Sequence, residues 1–380
     1  MSHMSPMHRL VPVKARRILS DISGHTRFDL GKEVEMFSVF EPGPDATMTT
    51  LDMTEMAQRV ANGDRRALAR AITVVESTRT DHRDQATALL TRLRAQGRKA
   101  LRIGLSGTPG VGKSTFIEAF GMMLIAQGLR VAVLAVDPSS ARTGGAILGD
   151  KTRMPRLSRE ANAFIRPSPS KSTLGGVAGR TRAVIDLVEG AGFDVVLVET
   201  VGVGQSETVV ADMTDVFVLL LAPAGGDELQ GVKRGIMEHA DIVLVNKADG
   251  DLQAQAMRTA ADYAGALRLL RHPATCPDGF PKAMTVSALT ETGLADAWQA
   301  MKTLHDWRRD TGVLDRMRAH QMHHALDTAI EEAFRHRLGA DPDIVALRAR
   351  LETDVASGRI SAETAAIRLL DQLGLGVSGD

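Results

Sequence analysis

A chain of 380 residues with 44% apolar content has material for a sizeable core, in one or two domains. Its 46 basic and 46 acidic residues balance, so no net field favours nucleic acid or an anionic membrane surface as a partner. The single cysteine, Cys276, excludes an internal disulfide and suits a reducing cytoplasm, and no apolar run nears the length of a membrane span.

Residues 1–53 mix charges, glycine and proline, as in Glu-Pro-Gly-Pro at 41–44, and fit neither a signal peptide nor a core pattern. They read as a poorly ordered extension, and a start codon called too early would explain them. Residues 54–98 form an expected helical region. Helices are predicted at Met56–Val60 and Ala67–Ala71, broken at Asn62-Gly63, and over about Asp84–Ala95.

The span 99–310 is predicted to be a P-loop domain of α/β class, with a mostly parallel central sheet flanked by helices. It opens with an apolar strand at Leu101–Leu105 and a helix whose apolar spacing runs from Thr115 to Gln127. Between them lies Gly107-Thr-Pro109-Gly110-Val111-Gly112-Lys113-Ser114-Thr115, which fits the pattern Gly, four residues, Gly-Lys-Ser. Glycines let the backbone approach an anion, and the loop amides and helix N-terminus favour phosphate. Lys113 is expected on the β- and γ-phosphates, and the Ser114 hydroxyl on Mg²⁺.

A second strand, Val131–Val136, ends in Asp137 and opens a polar loop carrying Arg142 and Asp150. Acids at the carboxyl ends of parallel strands sit where ligands bind, so Asp137 and Asp150 are candidates for the metal shell. A solvated loop with local ion pairs fits the same residues. The strand beginning at Phe193-Asp-Val-Val delivers Glu199 toward the phosphates as a magnesium or magnesium-water ligand, and Gly202 is expected to offer its N–H to the γ-phosphate. Ordinary GTPases carry Asp-x-x-Gly here. The water-orienting glutamine of Ras-type enzymes would fall at Val203, with Gln205 two residues late, so intrinsic hydrolysis is expected to be slow and accelerated by a partner. After the strand at 215–221, a glycine-bearing charged loop holds Asp227, Gln230 and Lys233, as either a moving segment or an ordinary connection.

The apolar run 240–245 reads as a buried strand ending in Asn246-Lys247-Ala-Asp249. The Asp249 carboxylate accepts from the N1–H and 2-amino group of guanine, donors that adenine lacks there. Asn246 either ties the loop or meets the purine edge, and the Lys247 stem covers the base. A strand at 283–286 then leads to Ser287-Ala288-Leu289, a turn of the kind that presents a backbone N–H to guanine O6. Phosphate loop and base tetrapeptide together imply GTP and GDP as ligands. Residues 311–380 form an expected helical arm. A helix is predicted at Leu294–Asp306, another at Val313–His336, and a pair over 342–373 broken at Ser357-Gly358. His320, His323 and His324 lack a matching acidic partner in sequence and read as a solvated face rather than a metal site.

These runs resemble the MeaB/ArgK family of G-protein chaperones that serve adenosylcobalamin-dependent methylmalonyl-CoA mutase. The matching text is GTPGVGKST, AVLAVDPSS, GDKTRM, AFIRPSPS, TLGGVA, FDVVLVETVGVGQSE, GDELQG and VNKAD, across about residues 54–310. The resemblance implies a GTPase and homodimer that gates cofactor loading and protects or reactivates a methylmalonyl-CoA mutase or a related cobalamin-dependent mutase. It implies switch segments around Asp137 to Asp150 and Glu199 to Gln205, with those acids near Mg²⁺. It also implies a third, mutase-coupled switch at Asp227, Gln230 and Lys233, and a dimerising arm at 311–380. A nickel metallochaperone GTPase would carry a histidine-rich tract or a cysteine-histidine pair, and the chain has neither. A small-molecule kinase would not need Asn-Lys-x-Asp.

Overall fold

The computed structural model describes residues 52–77, 79–136, 153–167, 174–200, 206–223, 234–269 and 274–374. All of them fall in one compact unit, Thr50–Asp380. Three helices come first, α1 (Met53–Ala61), α2 (Arg65–Glu76) and α3 (Thr80–Arg94). Asp52 and Asp64 start the first two by accepting amide hydrogens of the opening turn.

Seven strands follow: β1 (Leu101–Ser106), β2 (Val131–Val136), β3 (Ala163–Arg166), β4 (Val195–Thr200), β5 (Val216–Leu221), β6 (Ile242–Val245) and β7 (Lys282–Thr285). They form a single all-parallel sheet in the order β3-β2-β4-β1-β5-β6-β7. β2, β5 and β6 are continuous, fully buried apolar runs because both faces are covered. Alternate residues then divide between two cores. Ile103, Leu105, Val133, Leu197, Val218, Leu220 and Leu244 pack on one side against α4 (Lys113–Ala126) and α9 (Leu294–Asp310). Leu134, Val198, Phe217, Leu219 and Val243 pack on the other, against α1–α3 and α5 (Leu174–Gly190). On the first side Phe116 stacks on Phe120 at 5.2 Å, and Trp298 meets Phe120 edge-on at 6.0 Å.

Two short helices, α6 (Ser206–Ala211) and α7 (Arg234–His239), and the longer α8 (Gln253–Leu269) complete the domain, beyond the elements predicted from periodicity. The strand expected to begin at residue 240 begins at Ile242. Asp241 leaves the ladder on its side chain, accepting the Phe217 N–H at 2.8 Å and the Arg308 guanidinium at 2.5 Å. β3 is four residues long with alternating burial, too short to read from sequence.

The C-terminal region is helical as expected, with α10 (Val313–Ala340), α11 (Pro342–Ala356) and α12 (Ala362–Gln372). α10 extends four residues past the predicted end. Asp341 stops it and caps α11, with Pro342 at the first helical position.

Candidate functional site

The loop after β1 is shaped by backbone approach. At Gly107 a Cβ would lie 2.3 Å from the Leu220 carbonyl oxygen of β5, so no side chain fits. At Gly112 the chain is left-handed (φ 88°) and forms the N-terminal cap of α4 with no side-chain cap bond. The first amides of α4 are therefore not consumed by a capping side chain, which is the arrangement that receives phosphate. Lys113 folds back over the loop, its Nζ donating to the Gly107 carbonyl at 2.7 Å and to Thr108 at 3.3 Å. It is buried, and desolvation holds its ammonium below the usual lysine range, against an opposing pull from Glu199. A phosphate would reverse that shift, because it would supply the countercharge the buried ammonium needs.

Glu199 is itself buried at the carboxyl end of β4, in register with Leu105 of β1 and Ala135 of β2. The next residue, Thr200, donates its hydroxyl to Ser106 Oγ at 3.0 Å, tying the ends of β4 and β1 beneath the loop. Glu199 and the Ser114 hydroxyl of the first turn of α4 are hard oxygen donors on the loop side of the sheet. A magnesium ion bound to nucleotide takes few protein ligands and fills its shell with phosphate and water oxygens, so this donor set fits it.

Two side chains, Asn246 and Lys247, join the loop after β6 to the phosphate loop. Asn246 is buried. Its Nδ2 donates to the Val111 carbonyl at 3.0 Å, and its Oδ1 accepts the Ala288 N–H at 3.1 Å. These bonds tie the two loops, as in the first of the two alternatives left by its sequence. The Ala288 amide of the Ser-Ala turn is accordingly committed to Asn246. Lys247, with positive φ (60°), spans to the Gly110 carbonyl at 2.7 Å. The Asp249 carboxylate accepts the Ser287 hydroxyl, and Ser287 Oγ in turn accepts the Thr290 N–H at 3.1 Å. Ser287 thus orients the Asp249 carboxylate, a contact the sequence did not reveal because the two lie in different loops. Leu289 stands largely exposed at the mouth. Gly293 closes the turn, where a Cβ would meet the Thr285 carbonyl at 2.7 Å.

The family described as methylmalonyl-CoA mutase-associated GTPase MeaB matches residues 68–343. The chain belongs to the MeaB family. Guanine-nucleotide binding comes with that membership. Among its relatives, a putative GTPase of Caulobacter vibrioides is 52% identical over 325 residues, covering 86% of this chain and 99% of its own. The mitochondrial methylmalonic aciduria type A homolog of Mus musculus is 49% identical over 321 residues, covering 82% of this chain and 77% of its own. A crystal structure described as a LAO/AO transport system kinase superposes with a TM-score of 0.67 at 37% identity, covering 86% of this chain and 99% of that one.

Of the predicted site residues, Gly107, Pro109, Gly110, Val111, Gly112, Lys113, Ser114, Thr115 and Glu199 converge with Asn246, Lys247, Asp249, Ser287, Ala288 and Leu289 at the carboxyl ends of β1, β4, β6 and β7. Asp137, Arg142, Asp150, Gly202, Gln205, Asp227, Gln230 and Lys233 lie outside the described residues. Among the described residues no group of three or more metal-binding side chains occurs, and no helix is long and apolar enough to cross a membrane. His324 does gain an acidic neighbour, Asp212 at 3.2 Å, from another part of the fold.

Proposed function

We propose that this MeaB-family chain is a GTP-hydrolysing switch that gates cofactor loading into an adenosylcobalamin-dependent methylmalonyl-CoA mutase, or a related acyl-CoA mutase, and protects or reactivates it. The observation that carries the reading is the Asn246 side chain, bonded to the phosphate loop on one side and the base-reading turn on the other. A site so coupled registers both ends of one guanine nucleotide. In this reading Lys113 neutralises the β- and γ-phosphates. Ser114 and Glu199, with Asp137 and Asp150, would hold Mg²⁺, which supplies charge neutralisation at the bridging phosphate oxygens. Gly202 meets the γ-phosphate; Val203, at the usual glutamine position, cannot orient water, and Gln205 two residues later would be the side chain to do so. Catalysis by positioning alone, without a well-placed glutamine, is slow.

The segments around Asp137–Asp150 and Glu199–Gln205 act as switches, and Asp227, Gln230 and Lys233 carry the signal to the mutase. Residues 54–98 brace a GTPase domain at 99–310, residues 311–380 form the arm of a homodimer, and the protein works in the cytoplasm. The test is GTP hydrolysis measured with and without the mutase of the same organism. Stimulation of the rate is expected. GTP bound and cleaved at an unchanged rate would exclude this mutase as the client.

A further inference from the structure

At the end of the sheet opposite the nucleotide loops, α3, α5 and α10 line a solvent-open cavity of about 360 Å³. Six cationic side chains line it: Arg94, Arg98, Lys99, Arg102, Arg182 and Arg318. Four of them are answered by carboxylates. Arg94 meets Asp186 at 2.5 Å, Arg102 meets Glu189 at 2.7 Å, Lys99 meets Asp315 at 3.6 Å, and Arg318 meets the buried Asp215 at 2.6 Å. Arg98 and Arg182 have no such partner among the described residues. Both Arg98 bonds leave from Nη1, to the Ala61 carbonyl at 2.8 Å and the Gly190 carbonyl at 3.1 Å. Among the described residues Arg182 makes one bond, from Nη2 to the Asp212 carbonyl at 3.3 Å.

A guanidinium carries five donors, so among the described residues each of these two keeps N–H groups that no protein acceptor takes, while its backbone contacts fix its position. Desolvation lowers the Arg182 pKa; the Asp212 carboxylate nearby offsets part of this, and the neighbouring Arg102 adds to the lowering. Two anchored guanidinium groups lining one cavity of small-ligand size suit a ligand with more than one negative charge and several equivalent oxygens. Phosphate groups meet that description better than a single carboxylate, because planar donor forks match phosphate oxygens in pairs.

We propose that this cavity is a second anion site, separate from the nucleotide loops, which takes a small phosphate-bearing ligand between Arg98 and Arg182. The phosphate could be free, as pyrophosphate, or a monoester on a larger metabolite. Because α10 supplies one wall, an occupant also fastens that helix to the domain.

The experiment is calorimetric titration of the full chain, with the phosphate loop first saturated by GDP and Mg²⁺ so that added phosphate cannot read out there. Pyrophosphate and adenosine 3′,5′-bisphosphate are titrated separately at physiological ionic strength. One-to-one binding of either is expected, with the tighter of the two identifying the source. Arg98→Ala combined with Arg182→Gln should weaken it by about tenfold or more while GDP affinity is unchanged. Should the double variant fail to fold, the exposed Arg98→Ala change alone carries the test. Absence of binding by both probes, or equal affinity in the parent and the variants, would overturn the proposal.

Discussion

At the scale of single residues, the site depends on a few atoms with no freedom to move. Gly107→Ala would set a Cβ, fixed rigidly to the backbone, against the backbone carbonyl of Leu220, so neither yields cheaply. The variant is expected to lose about 1–3 kcal/mol of stability and most of its GTP affinity, measured by urea unfolding and nucleotide titration. Asp249→Asn should move preference from guanine to xanthine nucleotides, since the new amide donates where the carboxylate accepted. Unchanged GTP selectivity would remove Asp249 from the base site. The types and spacing of these residues were legible in the sequence, because phosphate and guanine chemistry demands them. The Ser287–Asp249 hydrogen bond was not, since residues 38 positions apart meet only after β6 and β7 pair.

At the scale of elements, α9 is fastened to the sheet by one buried cation. Arg308 is 1% exposed and donates to Asp241, to the Asp215 and Thr275 carbonyls and to Cys276. In sequence it sits in His-Asp-Trp-Arg-Arg-Asp and reads as a solvated helix end. Arg308→Leu would strand the Asp241 carboxylate in the interior. Removing one partner of such a pair costs about 3–5 kcal/mol, so the urea midpoint should fall sharply. GTP affinity should persist, because Arg308 lies at the end of the strands away from the phosphate loop. An unchanged midpoint would mean that Asp241 finds other compensation.

At the scale of the whole molecule, the one thiol reports on global unfolding. Burial and the neighbouring Asp241 push Cys276 up to about 11, so the thiol stays protonated at neutral pH and out of reach of reagents. Reaction with a colorimetric disulfide reagent is expected only as the domain opens, at a rate that tracks stability. Fast labelling of the folded protein would contradict this packing. Ligand linkage should appear in the same assay. GDP at a hundred times its Kd adds about 2.7 kcal/mol and slows labelling, while Lys113→Ala should erase that protection.

The sequence by itself determined the chemistry and the class of fold. A Gly-rich loop, a base-reading tetrapeptide and apolar runs of strand length are local patterns, written by what phosphate, guanine and a doubly covered sheet require. The helices read at Met56–Val60, Ala67–Ala71 and Val313–His336 from periodicity and breaks lie within the longer helices Met53–Ala61, Arg65–Glu76 and Val313–Ala340. Only the tertiary structure decided which of its partners each polar group takes. The strand order puts β4 beside β1, brings Glu199 beneath the loop, and lets Asn246 join two loops that the chain separates by more than a hundred residues. It also buries Arg308 and leaves Arg98 and Arg182 with carbonyls in place of acids. Charge pairing is a contest among all groups brought near each other in space, and sequence spacing records only those near along the chain.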